Sequence, residues 1–255
     1  LGKKGKTARL KRKPAPKFWP IPRKEYPWVV KPSSGPHRLV NCLPLTLVLR
    51  DILGVAETRR EVQTITNQGK VFVDGKVSRR DDFPVGLMDV ISIPAADKYY
   101  RILPNHKGLC LNAITKEEAN FKLCRIEDKV IVHGGVQLNL HDGSNLLVKI
   151  ADPKNPQEDV YETFDVLKLS LPGKQILERV PLKEGNFVVI TGGKNIGVQG
   201  KIVEIEKAVG KKRRSALVIV EDAKGSRYQT ILDFIFSLGQ IQSLVTLPTE
   251  AETFV

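Results

Sequence analysis

Apolar residues along this chain recur with two periods, and the change of period marks the elements. Leu45, Val48, Leu49, Ile52 and Leu53 fall on one helical face, with Pro44 suited to the first helical position and Gly54 to the stop. A second helix is predicted from Thr58, because Glu61 three residues on completes a capping box. Val62 and Ile65 form its buried side and Gly69 its end. The period then drops to two. Val71 and Val73 predict a strand, Asp74 and Gly75 a tight turn, Lys76 and Val77 the return, and Asp89 to Ile93 a further strand. Farther on, Val136, Leu138 and Leu140 alternate, Asp142 and Gly143 turn, and Leu146, Val148 and Ile150 alternate again, which predicts a hairpin. Thr115 followed by Lys116, Glu117, Glu118 and Ala119 predicts a capped helical start. From Gly185 to Ile205 two short strands flank a glycine-rich connection.

The first 41 residues lack either period. Pro14, Pro16, Pro20, Pro22, Pro27, Pro32 and Pro36 forbid a regular helix and favour extended chain. Such an arm is expected to order only against a partner, and a chain starting at Leu39 is expected to keep its fold. Charge names the partner. The net charge is +13, yet residues 1–41 hold 12 basic and 1 acidic side chains, residues 42–94 hold 7 of each, residues 95–180 hold 12 of each, and residues 181–255 hold 10 and 8. A polyanion is therefore expected to meet the arm, where each cation can displace a condensed counterion from a phosphate backbone.

Candidate RNA contacts in the arm are Lys3, Lys4, Lys6, Arg9, Lys11, Arg12, Lys13, Lys17, Arg23, Lys24, Lys31, His37 and Arg38, with Trp19 and Trp28 as bases' stacking partners. Arg59 and Arg60 stand in the first turn of the second helix, where the dipole disfavours cations, so a phosphate docked on the open amides is expected there. Lys70, Lys76, Arg79 and Arg80 would widen that face, although Glu57, Glu61, Asp81 and Asp82 could neutralise it. Lys194, Lys201 and the cluster Lys211, Lys212, Arg213 and Arg214 are the candidates near the C-terminus.

Signals for other chemistry fail. Gly192 and Gly197 have phosphate-loop spacing, but Val198 stands where lysine is required. His37, His106, His133 and His141 show no metal-ligand spacing, and no nucleophile elbow occurs. Cys42, Cys110 and Cys124 lack a C-x-x-C pair, so inert thiols in a reducing compartment are expected. No cofactor, metal or small-molecule substrate is expected. No run of eighteen apolar residues predicts a membrane span, and no apolar signal core follows the basic start, so a cytoplasmic protein is expected.

The stretch Thr58, Arg59, Arg60, Glu61, Val62, Ile65, then Gly69 to Val77 and Asp89 to Ile93 resembles the small RNA-binding domain shared by ribosomal protein S-four, several pseudouridine synthases and tyrosyl-tRNA synthetases. Gly185 to Ile205, with Gly200 ahead of the second strand, resembles the KOW motif of ribosomal and transcription-elongation proteins. The order of parts is more specific still. An arm with Leu10, Lys11, Arg12, Ala15, Trp19, Ile21, Arg23, Lys24 and Trp28 to Pro32 precedes Leu43 to Leu53, Phe83 to Ile93 and the KOW-like segment. That succession resembles the e-type S-four family of the archaeal and eukaryotic small ribosomal subunit, in its archaeal wording. Lys13 to Pro16, and Asn186 where aspartate is common, depart from the family pattern without removing a basic contact.

The resemblance implies an α+β multidomain fold: an extended basic arm (1–41), an S-four-type α/β RNA-binding domain (42–94), a central β-rich domain (95–180) and a KOW-type SH3-like barrel with a tail (181–255). It implies a non-enzymatic constituent of the small ribosomal subunit that binds ribosomal RNA beside neighbouring ribosomal proteins. The alternatives are an RNA-modifying enzyme or a transient translation or transcription factor. The pseudouridine synthases' catalytic aspartate, in an Arg-Leu-Asp context, is absent.

Overall fold

The computed structural model describes residues 9–133, 135–150, 160–206 and 213–248. The arm opens on a two-stranded ribbon, β1 (Leu10–Lys11) against β2 (Trp28–Val29), with Lys11 opposite Trp28. The expectation that this arm waits for a partner is corrected. Ala15, Trp19, Ile21 and Val30 are buried, and Ala15, Trp19 and Ile21 share one apolar cluster with Leu43, Leu45, Leu49, Val62 and Ile91. Proline removes N–H donors and so strands the carbonyls around it. Two arginines supply what is missing. Arg12 donates to the carbonyls of Trp28 (3.2 Å) and Pro22 (2.6 Å), and Arg23 donates to those of Arg12, Ala15 and Pro16 (2.6–2.9 Å).

Strand β3 (Cys42–Pro44) leads into helix α1 (Leu45–Leu47), which widens at once into a π-type turn, Val48–Ile52, closed by the bond from Leu53 N–H to Val48 O at 2.9 Å. The helical spacing therefore holds, but Pro44 lies one residue ahead of the helix, extended at φ −70° and ψ 141°. Helix α2 (Arg59–Asn67) is capped by Thr58 and buries Val62 and Thr66, with Ile65 half-buried. Then follow β4 (Phe72–Val73), β5 (Lys76–Val77), β6 (Pro84–Gly86), β7 (Val90–Ile93), β8 (Lys98–Asn105) and β9 (Gly108–Ala113). The turn between β4 and β5 needs positive φ at both central residues, and Asp74 (51°) and Gly75 (73°) supply it. β3 pairs with β6, and the antiparallel sheet β5-β4-β7-β8-β9 continues across residue 94 to Ala113 without a break in hydrogen bonding.

Thr115 accepts from Glu118 N–H at 3.3 Å, but the expected helix is only the 3-10 turn Glu118–Asn120. The chain leaves it for the long strand β10 (Phe121–Val132), followed by β11 (Gly135–Leu140), β12 (Asn145–Lys149), β13 (Val166–Ser170) and β14 (Ile176–Val180). They form a sheet in the order β12-β11-β10-β13-β14 over Cys124, Ile126, Val136, Leu138 and Leu167. A last antiparallel sheet, β18-β17-β16-β15-β19, holds β15 (Phe187–Ile190), β16 (Gln199–Glu206), β17 (Leu217–Glu221), β18 (Arg227–Ile231) and β19 (Ile235–Gly239). Met88, Leu103, Leu123, Val166, Val189 and Phe236 form one cluster contributed by all three sheets' segments, which fixes those segments against each other. The fold is thus mixed α/β with strands in the majority.

Candidate nucleic-acid interface

Helix α2 carries Arg59 and Arg60 on its exposed first turn, and Lys70, Lys76 and Arg79 are exposed on the hairpin and loop beyond it. Arg60, Lys70, Lys76 and Arg79 pair with no carboxylate among the described residues, whereas Arg59 is held by Asp81 at 2.6 Å and Arg80 by Asp82 at 3.1 Å. Neutralisation therefore reaches two of these six cations. At the start of α2 the capping box expected from the sequence is formed. Glu61 accepts from Glu57 N–H (2.9 Å) and from the Thr58 hydroxyl (2.8 Å), and Thr58 in turn accepts from Glu61 N–H (3.3 Å). Those bonds, Glu57 N–H first, hold the Glu61 carboxyl below the usual carboxylate range. The donors to this carboxylate are Glu57 N–H and the Thr58 hydroxyl, so it competes with a phosphate by its charge at this end of the helix.

In the arm, Arg9, Lys11, Lys13, Lys17, Lys24 and Arg38 are exposed and Lys31 is half-buried. Four expected contacts point inward instead. Trp19 is 3% exposed and donates its indole N–H to Cys42 O at 2.8 Å, so it cannot stack on a base. Arg12 and Arg23 spend their guanidinium groups on arm carbonyls, because those carbonyls have no strand partners. The His37 side chain is buried against Asp89, Nε2 to Oδ2 at 2.9 Å. Gly86 makes room for it: a Cβ there would come within 2.5 Å of the imidazole.

Toward the C-terminus, Lys194 and Lys201 are exposed. Arg213 and Arg214 are half-exposed but engaged across the chain, Arg213 with Glu162 at 3.1 Å and Arg214 with Glu127 and Asp233 at 3.5 and 3.8 Å. Lys3, Lys4, Lys6, Lys211 and Lys212 lie outside the described residues.

Three aspartates, Asp74, Asp89 and Asp142, turn inward to one lysine. Lys122, its side chain 1% exposed, reaches Asp89 at 2.5 Å, Asp74 at 2.7 Å and Asp142 at 3.3 Å, and Lys174 adds a contact to Asp142 at 3.4 Å. Burial opposes every charge in this cluster. The lysine's surroundings override it: Asp89, Asp74 and Asp142 raise Lys122 well above its ordinary value. In the same way Lys122 and His37 overcome burial and hold Asp89 low, and Lys122 and Ser144 hold Asp142 low, while burial leaves Asp74 raised. A lysine held as ammonium is no nucleophile or base at neutral pH. His141, beside it, is neutral: Nδ1 accepts from Arg125 N–H at 3.2 Å and Nε2 donates to Leu87 O at 3.1 Å, and burial, then Lys122, pushes it down to about 3. The three cysteines are free, and burial pushes the Cys42 thiol up to about 12. Sequence reasoning missed this cluster because Asp74 and Asp142 read as turn residues. The available signal was Lys122 in phase with the buried Cys124 and Ile126 on one strand.

Among the described residues no group of histidine, cysteine or acidic side chains could hold a metal ion, and no helix is long and apolar enough to cross a membrane. What remains is a set of exposed cations on an arm, a small α/β unit and a third sheet, with a buried lysine that joins the α/β unit to the second sheet. Three family matches cover the chain from the arm to the second sheet. Residues 4–40 match the RS4NT (NUC023) domain, residues 45–91 the S4 domain and residues 96–176 the Ribosomal family S4e. The small ribosomal subunit protein eS4 of Desulfurococcus amylolyticus is 50% identical over 98% of this chain and 100% of its own length, and that of Staphylothermus marinus is 48% identical over the same shares. The crystal structure of the 30S ribosomal protein S4e from Thermoplasma acidophilum superposes with a TM-score of 0.63 at 33% identity, covering 78% of this chain and 96% of that one. Identity at this level over nearly the whole length, together with a shared fold, means that the chain belongs to the S4e family of ribosomal proteins, a family of structural components and not of enzymes.

Proposed function

We propose that this chain is a structural constituent of the small ribosomal subunit in the cytoplasm, where it binds and stabilises ribosomal RNA beside neighbouring ribosomal proteins. The carrying observation is the sorting of charge. Asp74, Asp89 and Asp142 are spent on a buried lysine, while Arg60, Lys70, Lys76 and Arg79 stand outside with no carboxylate partner among the described residues. The contacts assigned are those four, Lys11, Lys13, Lys17, Lys24, Lys31, Arg38 and Trp28 of the arm with Lys3, Lys4, Lys6 and Arg9, and Lys194, Lys201, Lys211 and Lys212. Arg59, Arg80, Arg213 and Arg214 contribute less, because each must first give up a carboxylate. The working units are the arm (1–41), the S4-type unit (42–94, its sheet carried on to Ala113 by β8 and β9), the rest of the central β-rich unit (95–180) and a KOW-type barrel (181–255). Support for the last is the pairing of β15 with β16 across the glycine-rich connection.

Filter binding to a transcript of small-subunit ribosomal RNA, run over a range of salt, tests the reading. Replacing Arg60, Lys70, Lys76 and Arg79 together by alanine should flatten the log–log salt slope by about one unit for each phosphate contact removed. Arg59→Ala should change it less. An unaltered slope in the fourfold variant would refute the assigned face. RNA returned from incubation with a defined base modification, read by mass spectrometry, would favour the RNA-modifying alternative.

A further inference from the structure

The ribbon at the start of the arm has two unlike faces. Leu10 and Val29 pair across it and pack on the core shared with Leu43 and Leu45. Lys11 and Trp28 pair on the opposite side, and Arg9 and Tyr26 follow in the same phase two residues away. Tyr26 is 64% and Trp28 47% exposed, and they are the two exposed aromatic side chains among the described residues. Both are dressed with cations. The Arg9 guanidinium and the Lys11 ammonium each stand 5.8 Å from the Trp28 ring centroid, and the Arg12 guanidinium stands 5.0 Å from that of Tyr26. A large apolar ring left in water is unfavourable unless something covers it, and the arm's charge selects what can. Lys13 and Lys24 are exposed nearby, and the arm's single acid, Glu25, lies 4.0 Å from Arg12. A polyanion with unpaired π-faces fits this surface, and single-stranded RNA is one.

We propose that the outward face of the β1–β2 ribbon is a stacking platform for an unpaired ribosomal-RNA nucleotide, with the base on the Trp28 ring and Tyr26 extending the surface. The assignment rests on the RNA-binding function proposed above and sharpens it. Of the two tryptophans, Trp28 reads a base while Trp19, buried and bonded to Cys42 O, anchors the arm that presents it. Arg9 and Lys11 serve twice, since a cation near a ring polarises it toward a stacked base and also meets the adjoining phosphate, while Arg12, held by arm carbonyls, acts on the Tyr26 ring alone.

The chain has 2 tryptophans, so intrinsic fluorescence separates them. The full chain is titrated with a small-subunit ribosomal-RNA transcript and with a fully paired RNA duplex, by fluorescence and by filter binding. The transcript should quench the solvent-exposed, red-shifted emission, and W28F should lose that signal. W28A should weaken transcript binding about five- to a hundredfold with its salt slope unchanged. W28F, which keeps an aromatic face, should lose less than W28A. Lys11→Ala should instead lower the slope. If the parent chain binds the transcript but W28A binds equally well, or binding leaves the emission unquenched, the platform is refuted while the RNA-binding function stands. Equal losses on the duplex, which offers no free base, would also refute it. So would a W28A defect confined to incorporation into subunits, which would mean that a protein neighbour covers the ring. If the parent chain fails to bind the transcript at all, the proposed function itself falls. Far-UV circular dichroism confirms that each variant is folded.

Discussion

Replacing Lys122 by methionine removes one cation from between three buried carboxylates and keeps most of the side-chain volume. Its ammonium group lies 2.5 Å from Asp89, 2.7 Å from Asp74 and 3.3 Å from Asp142. After the change, Asp89 keeps its hydrogen bond with His37 and Asp142 keeps Lys174, at 2.9 and 3.4 Å. Breaking a buried pair by removing one member costs about 3–5 kcal/mol, because the other charge stays buried and uncompensated. Two carboxylates lose a close partner here and one loses a more distant one, so K122M should lie in the upper part of that range at pH 7. The pH dependence gives an independent check on sign. In the parent, Asp89 and Asp142 are held below the unfolded carboxylate value, so their contribution is complete above about pH 5 and is lost as pH falls through their folded values. In K122M the same carboxylates lose the charge that most opposes their burial, so their folded values rise above the parent's, less stability is lost on protonation and the variant gains on the parent in acid. Urea unfolding followed by far-UV circular dichroism at pH 7, 6, 5 and 4 measures both effects. Adding Asp89→Asn to K122M should recover part of the loss. A cost below about 1 kcal/mol at pH 7, or one independent of pH, would show that this cluster does not hold the units together.

His141 should give the isolated protein a stability that rises between pH 5 and pH 7. Its unfolded value is near 6.5 and its folded value about 3, so the unfolded state binds the proton and about 2 kcal/mol is lost on going from pH 7 to pH 5; His141→Gln should flatten that slope in the same urea series. Trp19→Ala should destabilise by about 3–5 kcal/mol and loosen the arm toward limited proteolysis, because the indole fills the shared core and its N–H serves Cys42 O. By the same reasoning a chain starting at Leu39 should be measurably less stable, against the expectation from sequence; equal thermal midpoints for the two chains would restore that expectation.

The sequence by itself determined what neighbours along the chain decide. The apolar spacing of Leu45 to Leu53, the Thr58–Glu61 cap, the Asp74–Gly75 and Asp142–Gly143 turns and the alternation of Val136 to Ile150 all appear where the residues indicated. Each depends on side chains a few positions apart. The charge excess of the arm and the order of motifs sufficed to place the chain in its family. Tertiary structure decided the rest, because it depends on pairings across long stretches of chain. Composition alone does not reveal that prolines leave carbonyls for Arg12 and Arg23 to satisfy, and so turn two expected RNA contacts into internal braces. Nor does it reveal that His37, Asp74, Asp89, Lys122 and Asp142 come from distant segments to one buried point. The division between Trp19 and Trp28 has the same origin. The two residues are alike in sequence context, rich in proline and cations, and only the pairing of the ribbon decides that one indole faces the core and the other faces water.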